Sequence, residues 1–103
     1  MVFKVFTTKE FDKLFDKLDP QIQEQIGKEI DQLIINPYSC KPLGYKFFRE
    51  KKVKGYRIYF LIYEEYLVVF IITISGKKDQ QDVIEAIKAI IPLYKEEIKR
   101  RFS

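Results

Sequence analysis

The sequence contains no histidine and one cysteine, Cys40. Without histidine, Ser-His-Asp and Cys-His catalysis are excluded. Zinc and haem sites draw on several His or Cys ligands, so neither a metal nor a cofactor is expected. One cysteine allows no intramolecular disulfide. The four glycines are isolated from one another, so no Gly-rich phosphate loop can form. No group of Asp and Glu has the spacing of a Mg²⁺ nuclease. Chemistry in this chain falls to Arg, Lys, Tyr, Asp, Glu, Ser or Thr. Long apolar runs are also missing. The longest, Leu67 to Ile72, is strand-sized against the roughly 18 apolar residues of a membrane span. The opening Met1 to Thr7 lacks the basic head and long apolar core of a secretory signal. A cytoplasmic protein without membrane contact is expected.

What is present suffices for one core. The 103 residues are 47 % hydrophobic and 33 % charged, which excludes a disordered tail and predicts a single domain over residues 1–103. The net charge of +4 is unevenly placed. Between positions 41 and 57, Lys41, Lys46, Arg49, Lys51, Lys52, Lys54 and Arg57 face only Glu50. The stretch before it is acidic and the stretch after it is balanced. A local excess of this kind is the electrostatic footprint of a polyanion site. It also suits a solvated hairpin whose lysines guard an edge strand.

Periodicity gives the organisation. A short strand spans Val2 to Phe6. Thr7-Thr8-Lys9-Glu10 reads as a capping box, after which Phe11, Leu14, Phe15 and Leu18 share a helical face. Asp19-Pro20 starts a second helix, lined by Ile22, Ile26, Ile30, Leu33 and Ile34 and stopped by Asn36-Pro37. Strands follow at Leu43 to Glu50, Tyr56 to Tyr63 and Tyr66 to Ile74, with Gly55 supplying a positive φ between the first two. Asp79 can cap a last helix, which Pro92 kinks or restarts. The expected class is α+β in the order β-α-α-β-β-β-α. All three helices are expected on one side of a small antiparallel sheet, leaving the other face for function.

These pieces resemble the RelE/ParE toxin superfamily. The likeness rests on Leu33-Ile34-Ile35-Asn36-Pro37, Lys41-Pro42-Leu43, Gly55-Tyr56-Arg57-Ile58-Tyr59 and the run Val68 to Lys78, in this order and spacing. It implies a helical hairpin packed on a twisted antiparallel sheet. It further implies a toxin held inactive by a small acidic antitoxin. RelE-like members cleave messenger RNA on the ribosome, whereas ParE-like members poison DNA gyrase. A degenerate member would only bind RNA or antitoxin.

Strand cleavage by the RNA's own 2′-hydroxyl needs proton transfer and stabilisation of charge on the phosphate, which clustered cations can provide. Carried over by position, the resemblance assigns phosphate stabilisation to Arg57 and an assisting role to Arg49, on the same groove. It assigns the turn cation to Lys78, with Lys77 beside it. Lys46, Lys51, Lys52 and Lys54 are expected RNA contacts, and no residue is a metal ligand. Some relatives carry a tyrosine six residues beyond the turn, where this chain has Ile84. Glu50 reads as a hairpin counter-ion.

Overall fold

The computed structural model describes residues 2–102; Met1 and Ser103, counted in the expected domain, lie outside them. The first helix is opened by Thr8 rather than Thr7. The Thr8 Oγ1 accepts from the Phe11 amide at 3.0 Å and donates to the Ile72 carbonyl at 2.6 Å, so one hydroxyl caps the helix and ties it to the sheet. Strand β1 (Lys4–Thr7) runs into α1 (Lys9–Asp16). Asp19 accepts from Gln21 at 2.9 Å and Pro20 begins α2 (Pro20–Leu33). A 3₁₀ turn at Pro37–Ser39 leads to the two-residue strand β2 (Lys41–Pro42). Then come β3 (Phe48–Val53), β4 (Tyr56–Tyr63), β5 (Val68–Gly76) and α3 (Gln80–Phe102).

The sheet order is β1-β5-β4-β3-β2. β1 pairs parallel with β5, and the other pairs are antiparallel. The expected antiparallel sheet is thus a mixed one. Between β1 and its parallel neighbour β5, the chain passes through the helical hairpin and then the β2–β4 strands, which lets it return in the same direction.

The helices do not share a side. One core cluster joins Phe11, Ile26 and Leu33 of α1–α2 to Val53, Ile58, Phe60, Ile62, Val69 and Ile71. The other joins Ile84, Ile87 and Ile98 of α3 to Phe48, Tyr59, Leu61, Val68, Phe70 and Ile72. The two sets alternate along β4 and β5, so α3 covers the face opposite the hairpin. Pro92 lies inside α3 without ending it, and the helix beyond it is anchored. Ile98 is fully buried, Phe102 packs on Phe6 and Tyr66, and the Arg101 guanidinium lies 6.0 Å from the centre of the Phe70 ring.

Two local expectations also change. The run Leu43–Phe47 is a loop, with Gly44 at φ 88°, and the basic strand begins only at Phe48. In the β3–β4 turn the positive φ falls on Lys54, at 56°, and not on Gly55. No helix among the described residues is long and apolar enough to cross a membrane.

Candidate functional site

At one end of the α3-side face β4 begins and β5 finishes. Registry places Arg57 there: its cross-strand neighbours are Lys52 on β3 and Ser75 on β5. Directly opposed residues point to the same face. Lys52 is exposed, as are Lys54 in the hairpin turn and Lys77 and Lys78 in the 3₁₀ turn Lys77–Asp79. These five cations therefore belong to one end of the molecule.

Arg57 itself is buried, with its Nε 2.8 Å from Glu50 Oε1. Glu50 opposes Tyr59 and shares the Arg57 face. Its side chain is only 4 % exposed. Gln80, the first residue of α3, donates its amide to both Glu50 oxygens, at 2.9 and 3.1 Å. The Nε–H of Arg57 is not aligned on the carboxylate, so the contact is an ion pair rather than a hydrogen bond. Among the described residues neither Nη group of Arg57 has a hydrogen-bond partner. Nε is the one atom of this side chain that is fully buried without a hydrogen bond, and the side chain as a whole is 8 % exposed. Beside it Tyr59 and Ser75 share a hydroxyl–hydroxyl contact of 2.7 Å, and Ser75 donates to the Gly76 carbonyl at 3.0 Å. Burial pushes the Tyr59 phenol up, against the opposing effects of Ser75 and Arg57. A guanidinium held at its inner nitrogen and free at its outer two is ready to bind an anion bidentately.

The other expected residues lie elsewhere. Arg49 has the opposite strand parity and faces the helical hairpin. Its Nε donates to the Lys46 carbonyl at 2.8 Å, and its Nη1 to the carbonyls of Tyr38 and Cys40 at 3.1 and 2.7 Å. It does not share a groove with Arg57; it fastens the loop before β3 to the turn before β2. Lys51 is on that same face and pairs with Glu29 of α2 at 3.3 Å. Lys46 is at the far end of β3, 5.4 Å from the Tyr38 ring centre. Ile84 is a buried core residue under α3. Glu50 is the counter-ion expected of it. The role of Gln80 had no signal in the sequence, because it depends on where α3 crosses β3.

A five-stranded mixed sheet with three helices is the fold of the RelE toxins that this chain matches. The E. coli toxin RelE, as a mutant in the free state, matches with a TM-score of 0.75 and 23 % identity over 88 % of this chain and 100 % of that one. The intact E. coli RelBE toxin–antitoxin complex matches at 0.66 and 23 %, over 72 % and 95 %. The archaeal RelE–RelB complex from Pyrococcus horikoshii matches at 0.65 and 16 %, over 75 % and 97 %. No curated protein matches the sequence. The family model for the ParE toxin of the type II toxin–antitoxin system parDE matches residues 5–81. The chain belongs to this family, within the RelE/ParE superfamily, and is a toxin of a type II toxin–antitoxin system.

Proposed function

We propose that this toxin is a metal-independent endoribonuclease that cleaves messenger RNA on the ribosome and so stops translation. The observation that carries the reading is the Arg57 side chain: ion-paired at Nε, without a hydrogen bond at either Nη group among the described residues, and at the same end of the sheet as Lys52, Lys77 and Lys78. In the reaction a ribose 2′-hydroxyl gives its proton to solvent water as its oxygen attacks the adjacent phosphorus. The bond to the 5′-oxygen breaks, leaving a 2′,3′-cyclic phosphate and a 5′-hydroxyl. The Arg57 fork binds the non-bridging oxygens as their charge grows. Lys78, with Lys77 beside it, gives a proton to the departing 5′-oxygen and regains one from solvent. Lys52 and Lys54 hold flanking phosphates. Arg49 takes no part. Primer extension on messenger RNA after induced expression tests this: new 5′ ends are expected with the wild type and far fewer, at the same sites, with Arg57→Lys.

The partner in this reading is a small acidic antitoxin. Its charge matches the basic end, and exposed Val2 and Ile35, brought together where the Phe3 amide meets the Ile34 carbonyl at 2.9 Å, offer it apolar contact. A gyrase-directed activity is the second reading. It is favoured by the ParE name of the matching family and by the Glu50 carboxylate that offsets Arg57. Cleaved DNA in a supercoiling assay, with messenger RNA intact, would select it.

A further inference from the structure

The way Glu50 meets Arg57 is not the one a free carboxylate would choose. A carboxylate and a guanidinium pair best fork to fork, through two parallel hydrogen bonds. Here Glu50 Oε1 lies 2.8 Å from Nε with an unaligned N–H, and among the described residues neither Nη group makes a hydrogen bond to the carboxylate. What holds the carboxylate in that pose is Gln80, whose amide nitrogen sits against both of its oxygens. Released, the carboxylate could turn onto the Nη fork and occupy the position an incoming phosphate needs.

We infer that Gln80 is a positioning residue that holds Glu50 away from the outer nitrogens of Arg57 and thereby keeps the anion site vacant and usable. The inference rests on the reading of Arg57 as the phosphate-binding group. Gln80 touches neither substrate nor reacting atoms; it acts through Glu50. The arrangement makes Glu50 a latent inhibitor of its own neighbour, restrained from the first residue of α3. Two substitutions should then interact with opposite signs. Gln80→Ala frees the carboxylate and closes the site. Glu50→Gln on that background removes the competing charge and reopens it.

The test is a titration of the full chain with inorganic phosphate at fixed ionic strength, followed by the backbone amide shifts of Lys52 and Ser75. Gln80→Ala is expected to weaken binding about tenfold or more, and Gln80→Ala/Glu50→Gln to return it to within about threefold of wild type. Alanine suits a helix start, and thermal unfolding of each variant confirms that it folds. Loss in Gln80→Ala without recovery in the double variant would show an ordinary structural contact and overturn the inference. So would unchanged binding by Gln80→Ala. Failure of the underlying reading looks different: there, Arg57→Ala would bind phosphate as wild type does.

Discussion

Arg57 and Arg49 show how much a residue's meaning depends on parity. They lie on adjacent strands, both are almost wholly buried, and both carry the same guanidinium. One donates to three backbone carbonyls and the other to none. Hydrogen bonds from a charged donor contribute roughly 1.5–3 kcal/mol each. Arg49→Lys cannot keep all three, and a loss of about 2 kcal/mol in unfolding free energy is expected, measured by urea denaturation. Growth arrest should survive in that variant at a permissive temperature. Arg57→Ala is also costly, because it strands the Glu50 carboxylate in the interior. Removing one partner of a buried pair typically costs about 3–5 kcal/mol, and Glu50→Gln added to Arg57→Ala should recover most of it. The sequence shows Arg57 as a strand arginine and Glu50 as a hairpin counter-ion. It does not show that Arg57 is buried, since the partners at that end, Glu50 on β3 and Gln80 behind it, come together only in the folded sheet.

At the scale of elements, helix starts were legible and faces were not. Asp19-Pro20 opens α2 as its chemistry dictates, and Thr8 caps α1 one position from the expected hydroxyl. Thr8→Ala should cost about 1–2 kcal/mol, because the same oxygen also holds Ile72; chemical denaturation checks it. The signal for two covered faces was present in β5. Val68 to Ile74 is buried without interruption, and continuous apolar runs belong to strands packed on both sides. Three helices on one side of the sheet would leave half of that run exposed. β2 had no signal at all: two residues, one of them Pro42, become a strand only because β3 lies alongside. The loop 43–47 misled for a related reason, since alternating aromatic and basic residues suit a loop edge as well as a strand. α3 beyond Pro92 stays attached through Ile98 and Phe102. Phe102→Ala should therefore raise hydrogen exchange in residues 93–101 more than in 80–91.

Over the whole molecule, the basic excess of positions 41–57 is divided by the sheet. Lys51 and Arg49 go to the helical-hairpin face and are engaged there, while Lys52, Lys54 and Arg57 gather with Lys77 and Lys78. A polyanion site of a few lysines gives an affinity that falls with salt, with a slope near one per phosphate contact. Lys52→Ala and Lys78→Ala should each lower that slope by about one in RNA-binding titrations. The cation chemistry also predicts that cleavage persists in excess EDTA when polyamines keep the ribosomes intact. A restorable Mg²⁺ requirement for the chemical step would count against it.

The measurement closest to the centre of this account is single-turnover cleavage of ribosome-bound messenger RNA by wild type and by Arg57→Lys. Lysine keeps the positive charge beside Glu50 but lacks the planar fork. The account predicts a loss of about 10²–10³ in rate, with the cleavage sites of the wild type and a folded variant. Equal rates in the two proteins, or intact messenger RNA with the wild type, would contradict it.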